Sequence, residues 1–198
     1  MKRLECVVRL SNNCFYNMLR NFAEMHKNES LGDLIGRKNG RGYFLENAFP
    51  NVTVESSPNY AWLGNNSARK RIVELDRAIR KSGSKYGVVG QYHTHVYRKD
   101  EARAYIGDKD IEFFRTWARE LGLEECIQLV ATVRVKSYGK RHRVGERTIY
   151  YNRKARVIFK SGEFFGHDII IGGYILTPES ISELRVRRAN LGLSRKKR

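Results

Sequence analysis

Cysteine is scarce: 198 residues carry only Cys6, Cys14 and Cys126. An odd number with no Cys-x-x-Cys spacing argues against a disulfide framework and a zinc knuckle. It fits reduced thiols in an intracellular, cytoplasmic protein. Long apolar runs are also missing, and nothing approaches the roughly 18–20 residues that span a bilayer. The opening MKRLECVVRL is broken by Glu5 and Arg9 and is followed by no small-residue cleavage site, so no signal peptide is expected. Internal repeats and low-complexity linkers are absent. Acids are short as well, 21 against 38 lysines and arginines, leaving a net charge of +17. That excess attracts polyanions or acidic surfaces and says nothing about fold.

A chain of this length with 41% hydrophobic residues can bury a core of its own. Leu4 to Leu10 reads as a short strand. The next segment spaces Phe15, Met18, Leu19, Phe22 and Met25 as one face of a helix. Two strands come after it, joined at Asn39-Gly40, a strong hairpin signal. Residues 50–65 look irregular. A helix capped by Asn66 or Ser67 would bury Ala68, Ile72, Leu75 and Ile79 and stop at Gly83. Strand 85–95, a helix burying Ile111, Phe114 and Trp117 or Ala118 up to Gly122, and a strand from Glu125 come next. Further strands turn near Asn152-Arg153 and Ser161-Gly162. Thr177 and Pro178 look like the cap and first residue of a last helix. Residues 1–176 are thus expected to form one domain, and 177–198 a C-terminal helix and basic tail.

The stretch VVGQYHTHVY, Val88 to Tyr97, carries the chemistry. A strand alternates its faces, so His93 and His95 point the same way and Thr94 the other. Two neutral imidazoles on one face can hold a transition metal. Asp110 falls in the first turn of the next helix, where an acid also suits the helix dipole, as does Asp108. His26, His142 and His167 have no ligand spacing, and Tyr92 and Trp117 read as packing residues. The basic residues cluster in Arg134–Lys160, ten against the single acid Glu146, and at the end in Arg185–Arg198, which includes the tail Ser194–Arg198. Both are candidates for nucleic acid contact.

With those residues in place, the chain resembles the JAMM (MPN+) metalloproteases. Their signature is an upstream Glu in a Glu-x-x-Gly-x-Leu-x-Gly setting, then His-[Ser/Thr]-His, seven residues, and Ser-x-x-Asp. ESLGDLIG supplies Glu29, Gly32, Leu34 and Gly36, and HTH supplies His93 and His95. Asn47–Pro50 resembles the segment after the family's hairpin. The likeness runs from about Cys14 to Leu121. It implies an α/β fold, a single MPN-type domain with a mixed, curved β-sheet flanked by helices, cytidine-deaminase-like. It implies zinc held by His93, His95 and Asp110, with Glu29 as general base. The implied activity is hydrolysis of the isopeptide bond after the C-terminal glycine of a ubiquitin-like protein. Two departures stand out. Strict spacing puts the Asp at Ile106, so Asp110 requires four extra residues in VYRKDEARAY, with Asp108 and Asp100 as weaker ligands. The family Ser then falls on Gly107, and no Ser or Thr lies between His95 and Asp110. Such a Ser resembles an oxyanion donor, which a backbone N–H near Gly107 or the Tyr105 hydroxyl would have to replace. The alternative is a catalytically weakened module that binds nucleic acid or an acidic protein through its basic segments.

Overall fold

The computed structural model describes residues 6–51, 54–57, 60–63, 66–96, 104–137, 146–160 and 165–189. In chain order the elements are β1 (Val7–Leu10), α1 (Asn12–Glu24), β2 (Leu31–Asn39), β3 (Gly42–Pro50), β4 (Val54–Ser57), β5 (Tyr60–Leu63), α2 (Asn66–Lys81), β6 (Gly87–Val96) and α3 (Asp108–Glu120). They continue as β7 (Cys126–Ser137), β8 (Arg147–Tyr151), β9 (Lys154–Lys160), β10 (Phe165–Leu176) and β11 (Ile181–Arg188). No helix among the described residues is long and apolar enough to cross a membrane.

The expected mixed, curved sheet flanked by helices is not what forms. The strands run β11-β1-β3-β2-β6-β7-β10, and β10 pairs again with β11, so seven strands close into a barrel. Strands β9 and β8 extend from β10 as a flap. The pairs β1–β11, β1–β3 and β6–β7 are parallel and the others antiparallel. Closure removes both free edges that the open sheet would have had.

The strand that closes the barrel is the segment expected to be the last helix. Thr177 and Ser180 make a tight turn: Thr177 N–H donates to the Ser180 carbonyl, and Ser180 N–H donates to Thr177 Oγ1, both at 3.0 Å. Beyond it Leu184 and Val186 are buried at 1% and 0% exposure, with Arg185 and Arg187 between and beyond them. That is period two, and it outweighs the helix-like Thr-Pro start. Ile181–Arg188 is therefore part of the barrel wall.

Alternation along the wall creates two cores. Ile127, Leu129, Ala131 and Val133 of β7 face inward, and Cys126 and Val130 face out. The inward cluster includes α1 through Cys14, Phe15, Met18, Leu19 and Phe22. Ser11 caps α1 by accepting the Cys14 N–H at 3.0 Å. The outer cluster holds α2 and α3 against β2, β6 and β7 through Ile72, Phe114, Trp117 and Ala118. Tyr92 is fully buried, edge-on to Phe22 at 5.5 Å, so it packs as the sequence suggests, as does Trp117.

Three local readings hold. Gly40 has φ +60° in the β2–β3 turn, Asn152 and Arg153 take φ 41° and 64° between β8 and β9, and Gly122 ends α3 at φ +66°. One differs. On α2, Leu75 is 43% exposed while Asp76 is buried. The β2–β6 register shifts between Leu34 and Ile35, leaving Val89 as an extra residue in β6. Next to that bulge, Asp76 Oδ1 accepts the Val88 N–H at 2.7 Å. The backbone donor, and not the apolar spacing, sets the rotation of the helix. The region 50–65 also contains the short hairpin β4–β5. Asp100, His142, the turn at Ser161-Gly162 and the tail Ser194–Arg198 lie outside the described residues.

Candidate metal centre

The site is built from one strand face, one helix turn and one strand entrance. His93 and His95 project from the outer face of β6, paired with Val130 and Thr132 of β7. Thr94 turns inward and is 2% exposed. Its Oγ1 accepts the Ser30 N–H at 2.7 Å, and its N–H donates to the Ser30 carbonyl at 2.9 Å. This clamp extends the β2–β6 pairing, in which Leu31 faces His93, by one residue. Glu29 precedes Ser30 at the entrance to β2. From the other side, Glu29 N–H donates to the Ser57 carbonyl of β4 at 2.8 Å.

Asp110 comes from α3. That helix is held by Phe114, Trp117 and Ala118, and by Arg115 Nε, which donates to the Thr177 carbonyl at 3.0 Å. The chain entering it is anchored at Ala104, which is fully buried and whose carbonyl accepts the Tyr174 hydroxyl at 2.9 Å. A Cβ on Gly172 would lie 2.5 Å from that carbonyl oxygen, so the approach depends on glycine.

His93 Nε2 and His95 Nε2 stand 3.1 Å apart, and Asp110 Oδ2 is 3.5 Å from each. Ligands held tetrahedrally at about 2.0–2.1 Å from zinc would be about 3.3 Å from one another. Among the described residues this is the one group of His, Cys, Asp and Glu side chains that could hold a metal ion. Burial lowers the affinity of His93 for a proton, against the pull of Asp110, which favours the neutral ring that can coordinate. Burial pushes the Asp110 carboxyl up, but hydrogen bonds from His93 and His95 and from the Gly107 N–H outweigh it. The group stays ionised well below the usual carboxylate range. His93 Nδ1 is buried with no hydrogen-bond partner among the described residues, where a ligating histidine usually has an outer acceptor.

Gly107 occupies the N-cap of α3, and its N–H donates to Asp110 Oδ2 at 2.9 Å. The backbone donor that could replace the missing Ser is therefore already engaged. Tyr105 is 45% exposed. Asp108 lies on the exposed side of the first turn, outside the three-residue group, as Glu29 does. The remaining signature residues are structural. A Cβ on Gly32 would sit 2.4 Å from the Tyr92 ring, Leu34 is fully buried, and a Cβ on Gly36 would lie 2.5 Å from the Phe44 carbonyl oxygen. His26 and His167 approach each other at 5.8 Å, and His167 stacks on Phe159.

One feature escaped the sequence reading. Asp33, Gln91 and Gln128 sit side by side across β2, β6 and β7, two residues along from the Leu31–His93 row. All three are buried, and Gln91 Nε2 donates to Asp33 Oδ1 at 2.7 Å. Polar residues at outward strand positions that should be apolar were the available signal. Desolvation pushes the Asp33 carboxyl up to about 6, against the hydrogen bond from Gln91. With the folded value above the unfolded one, folding stability is full below about pH 4 and falls as pH rises through about 6. The loss is about 3 kcal/mol at 1.36 kcal/mol per unit. Asp33→Asn should therefore melt several degrees above the parent at pH 8 and gain much less at pH 4. Parallel melting-temperature profiles for the two proteins across that range would refute the assignment.

No family model matches the chain, and no curated protein matches it. Among solved structures the chain is similar to protein DSY2949 from Desulfitobacterium hafniense, determined in solution as a target of the Northeast Structural Genomics Consortium. The TM-score is 0.51 at 15% identity, over 92% of this chain and 93% of that one, a likeness of fold alone.

Proposed function

We propose that the protein is a zinc-dependent metallopeptidase that hydrolyses the isopeptide bond after the C-terminal glycine of a ubiquitin-like protein. The observation that carries this reading is the convergence of His93, His95 and Asp110 at 3.1–3.5 Å. The order of these residues in the chain and their resemblance to the JAMM signature support the choice of metal and substrate. When bound, zinc brings the pKa of a coordinated water to about 7 and polarises a carbonyl. The protein's own part is proton management and placement. Glu29 takes the proton of the attacking water and delivers it to the leaving lysine amine. The Thr94–Ser30 clamp fixes the backbone from which Glu29 reaches. Asp110, by accepting the Gly107 N–H, ties the ligand set to the start of α3.

Metal analysis tests the reading. The protein purified with zinc present should hold one zinc per chain, and His93→Ala should hold almost none while keeping its circular dichroism spectrum. A metal-replete parent without zinc would end the proposal. It would leave a second reading, a catalytically weakened module that binds nucleic acid or an acidic partner. That reading is favoured by Gly107 and by the engagement of its N–H with Asp110.

A further inference from the structure

The basic segments singled out in the sequence are partly neutralised within the fold. Asp168, only 6% exposed, takes both Arg156, at 2.6 Å, and Lys136, at 2.7 Å. Arg188 pairs with Glu146 at 2.8 Å and lies over the Tyr16 and Phe15 rings. Charge that already has a carboxylate has less to offer a partner.

A different surface keeps its charge. At the start of β6, six residues and about 20 Å along the strand from His93, two adjoining clefts share Arg80, Gly122 and Leu123. Their volumes are about 530 and 810 Å³. One is lined by Arg37, Lys38 and Lys85, the other by Arg77, Lys81 and Arg119. Arg80 is held by Asp76 and Lys38 by Glu125. Arg77, Lys81 and Arg119 are exposed. Lys85 and Arg37 are drawn over the Tyr86 ring at 5.4 and 5.9 Å, which orients them without cancelling their charge. Arg37 Nε is itself buried with no acceptor among the described residues.

We infer that this joined groove binds the sugar–phosphate backbone of a single-stranded nucleic acid. Charge complementarity selects a polyanion: seven cations line the two clefts against Asp76, Glu120, Glu124 and Glu125, in a chain of net charge +17. Shape selects a single strand. A duplex is read by elements that protrude into its grooves, whereas a concave cationic track follows one backbone. The arginines add forked donors that match phosphate oxygens. The inference is independent of the peptidase reading, because the groove lies at the other end of β6 from the histidines.

The test uses the full-length protein and a fluorescein-labelled 20-nucleotide poly(U) RNA, with anisotropy followed between 50 and 300 mM KCl. The triple variant Arg77→Glu, Lys81→Glu, Arg119→Glu should bind at least tenfold more weakly at 100 mM KCl. Its plot of log K against log salt should be shallower by about 2, from three lost contacts at about 0.7 each. Zinc content and melting temperature are measured on the same protein. If that variant melts early, the corresponding triple glutamine variant replaces it, with the same loss expected. Unchanged affinity and slope would overturn the inference, as would displacement of the RNA by polyglutamate at equal charge concentration, which would mark an acidic protein surface as the partner.

Discussion

Glu29→Gln should leave one zinc per chain and lower the turnover of a ubiquitin-like isopeptide substrate by about 10²–10⁴-fold, the usual contribution of a general acid–base. The substitution preserves length and hydrogen-bonding shape and removes only the ability to take a proton. Glu29 stands outside the three-atom ligand group, so metal content should not respond. The residue is held on both sides, by Ser57 through its own N–H and by Thr94 through Ser30, which keeps the backbone in place when the side chain changes. Single-turnover kinetics and zinc analysis on one preparation check both halves. If hydrolysis persists at the parental rate, another group moves the proton and the role of Glu29 is wrong.

Gly107→Ser should raise the same rate by about 10²–10³-fold, the effect of one oxyanion donor. The backbone there, φ −86° and ψ 165°, is open to any residue, so glycine is not required by conformation. A Cβ would meet only Asp110 Oδ2, at 3.3 Å, close but short of a clash. Serine is also a good N-cap, but the gain over glycine there is only a few tenths of a kcal/mol. The two effects therefore separate cleanly. A variant that melts slightly higher with an unchanged rate would mean that position 107 serves the helix alone and that the oxyanion is stabilised elsewhere.

How the residues reach the site bears on which of them a sequence can reveal. His93 and His95 were legible because strand alternation is local: two positions apart means one face, whatever the strand is packed against. Asp110 was legible only through the likeness to a known signature, since its spacing from the histidines points to no ligand by itself. Its placement depends on Ala104, Gly172 and Tyr174, which lie up to 70 residues apart in the chain. Asp33 was missed for a related reason. Its burial follows from the pairing of β2 with β6, and its partner Gln91 is 58 residues away.

The sequence by itself determined the helical faces of α1 and α3, the turns at Gly40 and Asn152-Arg153, the shared face of the two histidines and the excess positive charge. Each depends on residue type and on spacings within a few positions. Tertiary structure alone decided that the sheet closes, that Ile181–Arg188 is the closing strand, that Asp76 and not Leu75 turns inward, and that two clefts join at Arg80. Those outcomes depend on which distant backbone donors and acceptors pair. Barrel closure leaves few of them free, and the pairing that achieves it outweighs local preferences such as a Thr-Pro helix start.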